Sequence, residues 1–150
     1  MRKLFAAAAT LGLAGLGVLV PASGAQASTA CDNAWNSASS GYFYAYNYDN
    51  CGGYLGKDAD NDANWSDGSG SFRGGDNDET QSLLHKGTSG MAVKVYQHAN
   101  YRGGHTCIAK SEYYMDDLSG FTYTNGVSAN ESISSHKWVW HGDCGKFLDS

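Results

Sequence analysis

Proline is nearly missing from this chain: Pro21 is the only one, and none follows it. Turns must therefore be carried by Gly, Asn, Asp and Ser. Long helical periodicity is missing as well, which argues against a helical bundle. No two of the four cysteines stand at C-x₂₋₄-C spacing, which argues against a structural zinc site. The histidines give no helix-borne metal pair either, since His136 and His141 are five apart and His98 and His105 seven. There is no Gly-x-Ser-x-Gly elbow and no P-loop. Adjacent acids such as Asp116-Asp117 do not mark a glycosidase pair. The expectation is a protein that is not an enzyme.

Only one stretch is apolar for long. It runs from Leu4 to Val20 behind Arg2 and Lys3, is broken by Pro21, and ends in Ala25-Gln26-Ala27. That order is the pattern of a secretory signal peptide over 1–27; the other reading, a membrane anchor, would need a longer apolar core. Removing 27 of 150 residues leaves 123, one domain's worth of chain over 28–150. Arg2 and Lys3 leave with the signal, so eight basic residues face fifteen acidic ones, a net charge of −7. An acidic surface argues against nucleic acid and anionic membranes as partners. It suits calcium, or solubility alone. The expected product is a secreted, extracellular monomer with no membrane contact once the signal is removed.

All four cysteines lie beyond residue 27, and an even count in an exported chain points to disulfides. Three pairings are possible. Cys31–Cys51 with Cys107–Cys144 is favoured because each bridge then closes within one half of the chain. Chain entropy assigns each bridge roughly 3–4 kcal/mol.

What the chain has in quantity is Gly, 20 residues of it, and aromatics. Short apolar alternation bounded by Gly, Asn, Asp and Ser is the mark of strands and turns. Strands are predicted at Tyr42–Tyr46, at Ala92–Tyr96 with Val93 and Val95 on one face, at His105–Ala109 and at Lys137–Trp140. A polar loop is predicted over Asp58–Gly75, with a helical turn around Asn64-Trp65. Within it Asp58-Ala-Asp60-Asn-Asp62 imitates an EF-hand opening. Ala63 and Ser69 stand where Gly and Glu are needed, so the segment reads as a solvated acidic loop. Trp35, Trp65, Trp138 and Trp140 are expected mostly in the core, an exposed sugar platform being the other use of such residues.

The sequence also repeats itself. Tyr46 is followed seven residues later by Gly53, and Tyr96 seven residues later by Gly103. Downstream, Asn77-Asp78-Glu79-Thr80-Gln81-Ser82 is answered by Asn130-Glu131-Ser132-Ile133-Ser134-Ser135. The offsets are 50 and 53 residues, with Gly87-Thr88-Ser89-Gly90 as a hinge between the halves. An aromatic that ends a strand folds over the next hairpin, and a Gly seven residues on takes a positive φ. Repeat one spans about 40–87 and repeat two about 91–141.

On these residues the chain resembles the paired Greek-key motifs of the βγ-crystallin superfamily. More narrowly, it resembles the secreted actinobacterial peptidase inhibitors of the Streptomyces metalloproteinase inhibitor type. The resemblance implies an all-β domain of two Greek keys packed as one sandwich or wedge. Gln81 stands where the first polar motif has Ser or Thr, and Glu131 where the second has Asn or Asp.

The superfamily's polar motif supplies calcium with a backbone carbonyl and the fifth-position side chain, completed by the other repeat's hairpin. Carried over, this puts Glu79 and Gln81 in one site and Ser132 and Ser134 in the other. Asn77, Asp78, Asn130 and Glu131 shape the loops. The same residues could instead close each Greek key by side-chain to backbone bonds. No cofactor is required; calcium is the one the resemblance suggests. The narrower resemblance implies an extracellular peptidase as partner, a metallopeptidase first, held by a rigid loop. The candidate contact is Cys107-Ile108, whose other reading is an ordinary core strand. The alternative function is a calcium-binding or structural extracellular module; a cell-wall or carbohydrate-binding protein comes third.

Overall fold

The computed structural model describes residues 28–149, so the signal segment expected over 1–27 lies outside the described residues. Alternation builds the strands. In β1 (Phe43–Tyr48), Phe43 and Ala45 enter the main core, while Tyr44 and Tyr46 pack on the outer face of the sheet. β2 (Gly52–Asp58) returns from the hairpin, and β3 (Ser82–His85) divides Leu83 from Leu84 in the same inward and outward way. The second half repeats the plan with β4 (Ala92–His98), β5 (Arg102–Ile108), the short β6 (Tyr114–Met115) and β7 (Ser135–Val139). All pairings within the two sheets are antiparallel, in the orders β2-β1-β3-β6 and β5-β4-β7.

The halves interlock. β6 belongs to the second half of the chain but pairs with β3, Leu83 opposite Met115 and Leu84 opposite Tyr114. In return Asp62 of the first half makes an isolated bridge to His136 of β7. The backbone bonds follow the repeat. Trp65 N donates to Ser134 O and Leu118 N to Gln81 O; Asp78 N donates to Ile133 O and Glu131 N to Thr80 O. Ser82 Oγ accepts from Cys51 N and donates to Tyr48 O, and Ser135 Oγ does the same for Tyr101 N and His98 O. This is a pair of Greek keys that exchange their third segments, with Phe43, Trp65, Phe72, Leu83, Val93, Val95, Ile108 and Ile133 filling the space between the sheets.

Two glycines carry the hairpins. Gly53 and Gly103 stand at φ 63° and 78°, and a Cβ on Gly103 would come within 2.7 Å of His98 Cδ2. Gly103→Ala is expected to cost about 2 kcal/mol, since both the left-handed backbone and the contact oppose it. Gly120→Ala, where a Cβ meets nothing within 4 Å, should stay within about 0.5 kcal/mol of the parent, and urea titration of the two variants beside the parent measures both effects.

The strand expectations hold in place but not in length. β1 runs to Tyr48, β4 to His98, and β5 begins at Arg102. The helical turn predicted at Asn64-Trp65 is a hydrogen-bonded turn; the 3₁₀ turn of that loop lies at Gly74–Asp76. One helix joins the β framework. α1 (Thr29–Ser37) is N-capped by Ser28, whose Oγ accepts from Cys31 N at 3.4 Å. Nine residues are too few for a stable helix on their own. The Cys31–Cys51 bridge and Trp35, which lies under Lys86 Nζ at 3.0 Å, hold it to the outer face of the first sheet. Cys107–Cys144 ties β5 to the 3₁₀ turn at His141–Asp143. Among the described residues no helix is long and apolar enough to cross a membrane.

Candidate functional site

The exchange of segments sets the two polar motifs side by side. The second residue of each takes a left-handed backbone, Asp78 at φ 60° and Glu131 at φ 52°, which turns its side chain toward the other motif. Ser134 Oγ donates to Asp78 Oδ1 at 3.0 Å and stands 3.0 Å from the carbonyl oxygen of Gln97. At the equivalent place Gln81 Nε2 donates to Glu131 Oε1 at 2.8 Å. There Asn47, the counterpart of Gln97, reaches Glu79 O at 3.0 Å and Glu79 Oε2 at 3.3 Å when its amide is turned to donate. Each cluster therefore joins the second position of one motif to the fifth position of the other.

This arrangement differs from the one expected above. Asp78 and Glu131 do more than shape loops: they bring the carboxylates. The hairpin strand at each cluster belongs to the same repeat as the fifth-position residue, not to the opposite one. Gln97 and Asn47 were not foreseen. Only their place two residues before the hairpins, one after Tyr96 and Tyr46, could have drawn attention to them. Ser132 is drawn to the side, its Oγ donating to Ser128 O at 2.6 Å and its carbonyl accepting from Tyr123 OH at 3.0 Å. Burial raises the Tyr123 phenol well above its ordinary range, so it remains a donor there. Asn77 Nδ2 donates to Asp78 Oδ2 at 2.7 Å and orients that carboxylate. Asn130 Oδ1 is buried with no hydrogen-bond partner among the described residues.

The chemistry of the first cluster can be tested against calcium. Its donors are a carboxylate, a hydroxyl and a backbone carbonyl, all hard oxygens of the type this ion takes. Ser134 Oγ has one proton and two acceptors at equal distance, so one of them, such as the exposed Asp78 carboxylate, is left to water or to a cation. A cation among the three oxygens would satisfy it. The donors fit. In the second cluster the amide of Gln81 presents its N–H side to Glu131 and would have to turn over to act as a ligand. Among the described residues no three His, Cys, Asp or Glu side chains converge as a metal site. With so few carboxylates, any calcium held here would be bound weakly, of the order of 10⁻⁴–10⁻³ M as in extracellular modules.

The other candidates lie elsewhere. Cys107 and Ile108 are both 0 % exposed in β5, opposite Lys94 and Val93. The outer edge of β5 is closed there, with Cys107 N donating to Lys146 O and Leu148 N to Cys107 O. The expected inhibitory contact at Cys107-Ile108 is thus a core strand, because Ile108 is inward on the pleat. The acidic loop also differs from its expectation. Asp58 and Asp62 are buried. Asp62 Oδ1 accepts from Asn64 N and Oδ2 from Phe72 N, while Asp58 Oδ1 accepts from Asp60 N. They fold the loop over Trp65 and Phe72, whose rings stack at 4.0 Å. Of the tryptophans, Trp65 is fully buried and Trp140 is 63 % exposed.

No family model and no curated protein matches the chain. Among solved structures, one concerned with the evolution of the eye-lens βγ-crystallin domain fold superposes with a TM-score of 0.52 at 19 % identity, over 69 % of this chain and 89 % of that one. The chain has the βγ-crystallin fold. A βγ-crystallin from an archaeon is also similar, at 16 % identity and a TM-score of 0.48, over 67 % of this chain and 100 % of that one. So is a βγ-crystallin domain from Flavobacterium johnsoniae, at 22 % identity and a TM-score of 0.42, over 67 % of this chain and 96 % of that one. At such identities the likeness speaks to the βγ-crystallin fold alone.

Proposed function

We propose that this protein is an extracellular βγ-crystallin-like module that binds calcium weakly between its two polar motifs. The observation that supports the reading is the single Ser134 hydroxyl set 3.0 Å from both Asp78 Oδ1 and the Gln97 carbonyl. The second cluster, with Gln81 donating to Glu131, would bind more weakly or not at all.

A ligand that binds only the folded state raises its stability. At ten times the dissociation constant the gain is about 1.4 kcal/mol, a rise of several degrees in Tm for a domain this size. Millimolar calcium should produce that rise in differential scanning calorimetry. Ser134→Ala and Asp78→Asn should each remove most of it, and Gln81→Ala should leave it nearly whole. A Tm indifferent to calcium would set the reading aside and leave the motifs as closures of the Greek keys.

Peptidase inhibition, the function implied by the narrower family resemblance, would have to use a loop other than Cys107-Ile108. A thermolysin assay with the purified protein separates the roles. A calcium-dependent Tm without inhibition of metallo- or serine peptidases leaves the calcium module standing alone.

A further inference from the structure

The repeat predicts what should meet at one end of the sandwich, and the structure departs from it there. His85 of β3 and Trp138 of β7 are equivalent at the offset of 53, and their rings meet edge to face at 5.2 Å. His85 N continues the ladder, donating to the backbone carbonyl of Tyr113 at 2.7 Å. Trp138 N instead donates to the side chain of Asn61, Oδ1 at 2.8 Å, and Trp138 Nε1 to Asp60 O at 3.0 Å. A side chain has replaced a strand, and the chain at 59–61 stands away from the sheet. The space left is a cleft of about 370 Å³ lined by Asp60, Asn61, Thr88, Ser89, Met91 and Trp138 among others.

We infer that this cleft is a glycan-binding site, taking a neutral pyranose ring against the indole of Trp138. The lining selects the ligand class. Asp60 is the only charged residue in its lining, and the Lys110 ammonium at 3.5 Å from Thr88 O offsets it, so no net charge selects an ionic ligand. A wholly apolar ligand would leave the Asp60 carboxylate desolvated and unpaired. An alkylammonium group calls for an aromatic cage, and here there is one ring. A sugar needs what is present: a flat apolar wall and acceptors and donors at the rim. The exposed Asp60 carboxylate takes none of the backbone N–H bonds of its loop, which go to Asp58 and Asp62, and so stands open to a ligand. Because Asn61 Oδ1 is occupied by Trp138 N, its Nδ2 side is the free one and donates. Thr88 and Ser89 are exposed hydroxyls on the opposite lip. Gly87 keeps the segment close to the indole, since a Cβ there would fall 2.5 Å from Trp138 Cζ3. The volume is that of a small-molecule site, and the cleft lies where the two repeats join, a common place for one.

The test is isothermal titration of the protein with cellohexaose, chitohexaose, xylohexaose and maltohexaose in calcium-free buffer, so that it stands apart from the calcium reading. At least one should bind at one site per chain. Asp60→Ala should weaken it about tenfold or more, the loss of a hydrogen bond to a charged group, with Tm unchanged because Asp60 is exposed. Trp138→Ala should abolish it. That variant also loses packing, so Asp60→Ala carries the decision. No binding to any of the four, binding indifferent to Asp60→Ala, or preferential binding of tetramethylammonium chloride at this cleft would each overturn the assignment.

Discussion

Acidification from pH 7 to pH 4 is expected to remove about 3 kcal/mol of stability through one residue, His136. Its ring is fully buried among Phe43, Trp65 and Phe72. Trp65 Nε1 donates to His136 Nδ1 at 3.0 Å, so the proton of the neutral ring sits on Nε2 and faces Asp60 O at 3.2 Å. Burial is the main influence and lowers the pKa from 6.5 to about 4, against the pull of Asp62 and the Asp60 carbonyl. Between those values the unfolded chain binds a proton that the native chain refuses. Stability therefore rises with pH through this window and is complete above the unfolded value near 6.5. It falls as pH drops toward 4, by roughly 1.4 kcal/mol for each pKa unit of the difference. Burial lowers His85 as well, in the same direction. Urea midpoints at pH 7, 6, 5 and 4 measure the slope. His136→Gln keeps an acceptor for Trp65 but cannot titrate, so its slope should be markedly flatter. Parallel slopes for the two proteins would show that His136 does not carry the effect.

Ile108→Asp is expected to unfold the protein. The side chain is 0 % exposed in the core with Val93, Val95 and Ile133. The change removes about 2 kcal/mol of apolar burial and adds a carboxyl with no partner, several kcal/mol more. Together these approach the whole stability of a small domain. Ile108→Val should cost only about 1 kcal/mol and keep the fold. Near-ultraviolet circular dichroism checks both. Any peptidase inhibition that disappears with Ile108→Asp should disappear together with the folded signal and survive in Ile108→Val. Loss of inhibition with a native spectrum would put Ile108 back on the surface, against its burial.

Much of the architecture was legible in the residues, for local reasons. The spacing from Tyr46 to Gly53 and from Tyr96 to Gly103 reflects a hairpin whose left-handed position glycine fills at no steric cost. Alternation of Val93 and Val95 named the inward face of β4 because the pleat has a period of two. Other elements were missed for equally physical reasons. Gly52, Gly53 and Gly56 have little strand propensity, and β2 exists because β1 offers it a partner across a tight turn. α1 did carry a signal, Cys31, Ala34, Trp35 and Ala38 at i, i+3, i+4 and i+7, but it spans barely two turns. Asp58 and Asp62 looked like solvated acids because sequence shows charge and not the backbone N–H groups that charge will meet, whereas Asp60 is indeed exposed.

By itself, then, the sequence determined a chain of strands and turns and its internal duplication, since these follow from periodicity and from backbone conformations a few residues long; the Greek-key form and the role of the polar motifs came through the family resemblance. Which motif meets which was decided only by tertiary structure. β6 and Asp62 cross between the sheets, and that exchange carries Asp78 to Ser134 and Glu131 to Gln81. It also buries Ile108 and leaves the cleft beside Trp138. Contacts between residues 50 or more positions apart depend on how two faces close on one another, and no local pattern along the chain encodes that closure.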